Sequence, residues 1–407
     1  MTESIIVLKN CEVIDPADIE TYIARKGFEA LTKARTTMSP ESVVAAVKAS
    51  GLRGRGGAGF PCGIKWDMAA QSSGEEKYLI CNADEGEMGT FKDRYLLQHD
   101  PFSLIEGMAI AAFAIGASKA YIYLRGEYRY LVPTIKTAID QAQKKGFLDS
   151  LEIVLQEGAG AYICGEETAL MNSLEGKRGE SRFKPPFPPV CGLFGKPTII
   201  NNVETLSTIP QIILNGPDWF SSIGTEKSKG TKIFSVSGDV ARPGIYELPM
   251  GSSLRELVVY LAGGQDIKII QVGGAAGRLL PATELDTPLS FETLLGAGAV
   301  TVFDSSRDIV DVLLQTIEFL AEESCGLCTP CREGSEVLLE ILGRLHGGEG
   351  NPKDTDALTD LADTMAAASL CGLGQGAAIP VKDSLMYFKE DYDNRIKQSL
   401  YIKSLLS

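Results

Sequence analysis

A chain of 407 residues with 44% hydrophobic and 23% charged content is too long for one ordinary core and too apolar to be disordered, so it divides into several folded domains. Its formal charge of −14, with no basic stripe to offset it, disfavours nucleic acid as a partner. The longest apolar run, Gly107 to Ala117, falls well short of the roughly 20 residues that cross a bilayer, and Met1 to Lys9 lacks the pattern of a secretory leader, so a cytoplasmic protein without direct membrane insertion is expected.

In chain order, Ser4 to Leu8 reads as a short strand and Asp15-Pro16 as a helix start, together an entry arm. Ser39 as N-cap and Pro40 at the first helical position predict a helix through Lys48, closed by Gly51. A glycine loop spans Gly51 to Gly63, and a strand is expected to follow at Lys77 to Asn82. Helices over Pro101 to Gly116 and Pro133 to Lys145 alternate with strands at Ala120 to Leu124 and Leu151 to Leu155, which indicates an α/β layer fold. Gly176 to Pro197, rich in proline and glycine, must run as an extended loop. Beyond Gly230, short strands at Lys232 to Ser237, Gly244 to Glu247 and Ile267 to Val272 around a helix at Leu254 to Leu261 suggest a small α+β module. From about Asp308 the pattern is helical, as in a bundle. The expected divisions are an arm at 1–38, an α/β domain at 39–229, the small module at 230–305 and the bundle at 306–407.

Nine cysteines without a leader point to metal or redox chemistry rather than a disulfide framework. Cys325, Cys328 and Cys331 stand at two-residue gaps, so one turning backbone can aim three sulfurs at a common centre, and Cys371 in its glycine-rich turn is the expected fourth ligand. Thiolates serve zinc and iron-sulfur clusters alike, but zinc usually takes two doublets, whereas a triplet plus one distant cysteine is typical of [4Fe-4S] ligation. A cluster is therefore expected ahead of zinc. Cys11, Cys62, Cys81, Cys164 and Cys191, scattered singly, are expected to be small core residues.

Gly54-Arg55-Gly56-Gly57-Ala58-Gly59 satisfies G-x-G-x-x-G in letters only. A Rossmann fingerprint leaves a strand and enters a helix, whereas here a helix precedes the loop and a strand is expected to follow it. Such a loop still brings backbone N–H groups close to an anion, and Arg55 and Lys65 could add charge for a phosphate. Two further turns are unusually polar. Asn82 to Glu87 follows a strand and so lies at its carboxyl end, where open α/β sheets bind ligands, and Gly158 to Thr168 joins a strand to a helix through closely spaced glycines.

Taken together, these motifs resemble the flavin-carrying, NADH-binding subunit of respiratory complex I and its relatives in soluble NAD-linked hydrogenases and formate dehydrogenases. The resemblance rests on Gly51 to Pro61, Gly63-Ile-Lys65-Trp66, Asn82 to Glu87 with Gly89 to Arg94, Tyr162 to Thr168, Asn201 to Thr205 and the cysteine set. It implies a Rossmann-like domain without the usual fingerprint, a ubiquitin-like β-grasp module and a helical bundle carrying a [4Fe-4S] cluster. It further implies FMN held by Gly54, Arg55, Gly56, Lys65, Asn82, Asp84, Glu85, Tyr162, Gly165, Glu166, Asn201, Asn202 and Thr205. NADH would be contacted by Phe60, Glu87, Glu167, Lys184 and Phe187, with Glu87 and Glu167 as the catalytic residues, bonding ribose hydroxyls or the nicotinamide amide, and Lys184 meeting the phosphates. Met68 stands where complex I relatives carry a second aromatic, so Phe60 would carry more of the stacking.

What the resemblance implies for function is hydride exchange between NAD(H) and FMN, then single-electron transfer through the cluster. With one multi-cysteine set in the chain, the acceptors must lie on other subunits: a [2Fe-2S] thioredoxin-like protein and a catalytic subunit, hydrogenase first and formate dehydrogenase second. The alternative from another class is a non-catalytic electron-transfer or scaffold subunit, against which Lys65, Asp84, Glu87, Glu166 and Glu167 speak.

Overall fold

The computed structural model describes residues 5–74, 76–293 and 295–406, with side chains described as far as 401. Four strands form a wholly parallel sheet: β1 (Tyr78–Ala83), β2 (Lys119–Leu124), β3 (Glu152–Glu157) and β4 (Thr198–Asn202), in the spatial order β3-β2-β1-β4. Nearly every residue of β1 is buried, as a strand covered on both faces requires. Helix Pro101–Ile115 is apolar almost all round and packs against helix Val203–Asn215, so the pair covers the sheet as buried core helices.

The strand order decides where a ligand can go. The chain steps from β1 to β2 to β3 and then returns to place β4 on the other side of β1. The connections diverge there, which opens a crevice beyond the carboxyl ends of β1 and β4. In register, Cys81 lies opposite Asn201 and Asn82 opposite Asn202, so polar residues of both strands reach that crevice together.

A second sheet comprises β5 (Thr231–Gly238), β6 (Gly244–Pro249), β7 (Ile267–Val272), β8 (Arg278–Pro281) and β9 (Ala299–Asp304), ordered β6-β5-β9-β7-β8. Only β5 and β9 pair in parallel; the other neighbours are antiparallel, and a helical turn at Glu256–Leu261 packs into its core. Helices Ile309–Glu322, Thr329–His346, Asp354–Ala368, Ala378–Tyr387 and Lys389–Leu406 complete the chain. This is the mixed α/β fold with a β-grasp-like module and a helical end that the sequence suggests. No helix among the described residues is long and apolar enough to cross a membrane.

Four local expectations are corrected. Ser4 lies outside the described residues, and Ile6, Val7 and Leu8 form no strand; their N–H groups donate in succession to the Glu247 carboxylate at 2.9–3.1 Å, which satisfies them without a neighbouring strand. The glycine loop enters a helix, Cys62–Gln71, before β1 begins; proline at its N-cap and a glycine in its first turn hide it in the sequence. Helix Lys92–His99 and the unit of β4 with its following helix occupy stretches where the sequence predicts no element. Cys191 is exposed, while Cys11, Cys62, Cys81 and Cys164 are buried. The segment before residue 39 packs into the α/β core: the Phe28 ring stacks on Phe147 at 4.0 Å and the Tyr22 hydroxyl donates to Glu106.

Candidate functional site

The glycine loop lies over the crevice between β1 and β4. It is tied at its base by Gly54 N–H donating to the Phe60 carbonyl at 2.9 Å and by the bridge between Arg53 and Pro61. Gly56 rests on Asn202 so closely that a Cβ there would stand 2.9 Å from the Asn202 Cβ, which explains why the position takes glycine. Among the described residues, the N–H groups of Gly56, Gly57 and Ala58 reach no protein acceptor. Gly56 lies against Asn202, the N-cap of helix Val203–Asn215, where backbone donors and the helix dipole favour an anion.

Arg55 differs from the sequence expectation. Its guanidinium is buried and donates to the carbonyls of Arg53 and Lys229, so those donors brace the loop rather than serving a phosphate. The Arg55 N–H donates to Thr205 Oγ1 at 2.8 Å, which places Thr205 beneath the loop. Asn201 accepts from the Trp66 indole at 2.8 Å and is thereby fixed within the buried floor.

At the end of β1 the acidic residues separate into different tasks. Asn82 donates to the Gly165 carbonyl at 2.8 Å. Asp84 is half-buried, one of its carboxylate oxygens is enclosed with no protein partner among the described residues, and desolvation lifts its carboxyl to about 7. Glu85 is turned away: its oxygens accept from the N–H groups of Asp93 and Arg94 and from the Tyr128 hydroxyl, so it caps helix Lys92–His99. Glu87 accepts from the Tyr162 hydroxyl at 2.7 Å and from the Ala275 N–H at 2.7 Å, linking the α/β layer to the turn between β7 and β8, and burial raises its pKa.

The turn Tyr162–Gly165 precedes helix Glu167–Leu174. Glu166 caps that helix by accepting from Thr168 and Ala169 N–H groups, with its other oxygen 3.0 Å from Lys184. Glu167 lies between two cations, Lys184 at 3.0 Å and Lys65 at 3.4 Å. Burial opposes its ionisation, but the two ammonium groups outweigh that and hold its carboxyl below the usual range. Lys65 also donates to the Ile200 carbonyl at 3.0 Å. Lys184 is thus paired with Glu166 and Glu167 rather than free for a phosphate. Phe60 and Phe187 are about half exposed and Met68 more than a third, leaving apolar faces available to a planar ring.

The four predicted cysteine ligands converge. Cys325, Cys328, Cys331 and Cys371 line one small apolar pocket together with Ile163 and Leu370. Cys328 stands at the N-cap of helix Thr329–His346 and Cys371 at that of helix Gly372–Gly376. A Cβ on Gly374 would lie 2.9 Å from the Cys331 Cβ, so glycine allows the second segment to approach the first. Three closely spaced thiols and a fourth from a separate turn around one apolar pocket suit a [4Fe-4S] cluster better than the paired doublets usual for zinc.

Sequence reasoning missed a buried charge network under the loop. Lys92 pairs with Asp93 at 2.7 Å and Glu204 at 2.8 Å, and Lys232 of β5 reaches both Glu204 and the Arg55 carbonyl. The one signal in the sequence is a lysine on the same strand face as Phe234 and Val236.

The residues fit both implied groups. Backbone donors and a buried carboxylate oxygen without partners among the described residues stand ready for a polar cofactor, and four thiols line one pocket. Family comparison agrees. The Nuo51 FMN-binding domain matches residues 47–211, the SLBB domain 233–273, and the NADH-ubiquinone oxidoreductase-F iron-sulfur binding region 311–395. A curated subunit of the NADH-quinone oxidoreductase of Rhizobium meliloti (strain 1021) is 44% identical, with 97% of this chain and 98% of that protein aligned. The chain belongs to the family of complex I 51 kDa-type NADH-binding FMN subunits.

Other members of this family include the NADP-reducing hydrogenase subunit HndC of Solidesulfovibrio fructosivorans, 45% identical over 96% of this chain and 83% of that one. Among solved structures, an NAD+-reducing [NiFe]-hydrogenase in the H2-reduced state superposes with a TM-score of 0.84 at 43% identity, covering 90% of this chain and 66% of that chain.

Proposed function

We propose that this FMN subunit exchanges hydride with NAD(H) and passes electrons singly, through its [4Fe-4S] cluster, to partner subunits of an NAD-linked hydrogenase in the cytoplasm. The observation that carries the reading is the position of the turn Tyr162–Gly165: the Gly165 carbonyl receives Asn82 at the ligand end of β1, while Ile163, two residues away, lines the cysteine pocket. A flavin site and a cluster site thus share one turn. FMN supplies the conversion between a two-electron donor and one-electron carriers, and the protein's part is to hold, orient and exclude water.

In this reading Gly54, Gly56, Asn82, Asp84, Gly165, Asn201, Asn202 and Thr205 form the FMN cradle, with Arg55 and Glu85 acting from behind it as brace and cap. Glu167, kept anionic by Lys65 and Lys184, accepts from ribose hydroxyls or the nicotinamide amide, and Phe60 and Phe187 flank the planar rings. Tyr162 and Glu166 support the turn, and Glu87 fixes the depth of the pocket through Tyr162 and Ala275. Cys325, Cys328, Cys331 and Cys371 ligate the cluster. The divisions 39–229, 230–305 and 306–407 serve as flavin domain, β-grasp module and cluster domain. The partners are a [2Fe-2S] thioredoxin-like protein and a catalytic subunit, and likeness to HndC and to the NAD+-reducing hydrogenase favours hydrogenase over formate dehydrogenase.

The test is anaerobic purification followed by NADH. Bleaching of the flavin absorbance is expected; a spectrum that stays oxidised with FMN present would reject the enzymatic role and favour a scaffold subunit.

A further inference from the structure

The peptide joining Arg55 to Gly56 is held from behind by a residue of the other module. Lys232, on β5 and wholly buried, donates to the Arg55 carbonyl at 3.0 Å and lies 3.4 Å from Glu204. Glu204 accepts the Ile233 N–H at 2.8 Å and pairs with Lys92 at 2.8 Å, so the ammonium of Lys232 is fixed by a rigid partner. The Arg55 N–H is meanwhile fixed by Thr205 Oγ1. Cis peptide bonds occur only at Lys184-Pro185 and Pro185-Pro186 among the described residues, so the Arg55–Gly56 bond is trans. In a planar trans peptide the C=O and the following N–H point in opposite directions. With the Arg55 carbonyl drawn down to Lys232, the Gly56 N–H is turned away from Lys232, and no acceptor among the described residues receives it.

We propose that Lys232 is the positioning residue of the glycine loop, pinning the Arg55 carbonyl so that the Gly56 N–H is presented to the FMN phosphate. The inference rests on the FMN cradle described above and extends it to the β-grasp module, whose lysine makes the phosphate site depend on the docking of the two modules. A lysine buried at this position is costly unless its ammonium is paired and hydrogen-bonded, and both of its partners belong to the flavin domain: Glu204, beside Thr205, and Arg55 within the loop. Without the lysine, the peptide is free to turn its carbonyl toward the phosphate, which replaces a donor with a repelling acceptor.

Affinity of apoprotein for FMN and for riboflavin, which lacks the phosphate, separates positioning from general loosening. Wild type should prefer FMN, and Lys232→Met should weaken FMN by about tenfold or more while riboflavin changes by less than about threefold, the size of one lost hydrogen bond to a charged group. Lys232→Gln, which keeps a neutral donor, should retain more of the preference than the methionine variant. Equal weakening of both flavins, or an unchanged preference in Lys232→Met, overturns the proposal. Should Lys232→Met not fold, Lys232→Arg is measured instead: its donors should preserve the FMN preference, and loss of that preference overturns the proposal. Wild-type apoprotein that binds riboflavin as tightly as FMN overturns the phosphate reading itself, and the proposal with it.

Discussion

The Tyr162 hydroxyl donates to the Glu87 carboxylate at 2.7 Å. That bond ties the turn shared by the two sites to the acidic turn after β1, and the Tyr162 ring meets Phe319 of the cluster domain edge-on at 5.2 Å. Tyr162→Phe keeps the ring and leaves the half-buried Glu87 carboxylate with backbone donors alone. Apoprotein stability should fall by about 1–3 kcal/mol, read by chemical denaturation, and kcat/KM for NADH should fall with it. Unchanged values in both would show that Glu87 is held without the tyrosine.

Gly56→Ala tests the floor of the glycine loop. The new Cβ would press on Asn202, which caps the helix beneath. FMN content after purification should drop at least about tenfold, since a shift of a few tenths of an ångström in the loop misdirects several donors at once. Full flavin occupancy would show that the loop stands further from the cofactor.

Asp84 gives the apoprotein a pH dependence with a definite sign. Burial lifts its carboxyl from an ordinary 3.8 to about 7 in the folded chain. Between those values the folded state holds a proton that the unfolded chain has released, so stability falls as pH rises through this window. Glu85, also lifted to about 7 by burial, acts in the same direction. Asp84→Asn should flatten the slope between about pH 4 and pH 7 in denaturation curves of apoprotein; a slope as steep as wild type would assign the titration to other groups.

The cysteine pocket predicts a separation of two activities. Cys328→Ala should abolish the EPR signal of the reduced cluster and lower the iron content, while FMN remains reducible by NADH, because Cys328 lines the cysteine pocket and has no bond to the glycine loop. A cluster signal that persists with four irons bound would remove Cys328 from the ligand set.

Local chemistry was readable wherever one short segment carries it. The triplet Cys325, Cys328 and Cys331, the Ser39-Pro40 helix start and the glycine loop each declare themselves through spacing or through a conformation that few residues allow. Three of the four parallel strands were legible through their alternation with helices, while β4, ending in two asparagines inside a stretch rich in turn residues, was not. Helix Cys62–Gln71 was not, since a proline and a glycine at its start are loop signals that tertiary packing overrides.

By itself the sequence determined which groups this protein possesses: four thiols for a cluster, a glycine-rich loop and a set of acidic turns. Only the tertiary structure decided their tasks. Glu85 and Glu87 sit two residues apart, yet one caps a helix and the other bridges modules. Arg55 turns its side chain into the interior while its carbonyl is caught by Lys232, 177 residues away. Side-chain role depends on which donors and acceptors surround a group after folding, and those partners are brought by strand order and module docking, which no local pattern encodes.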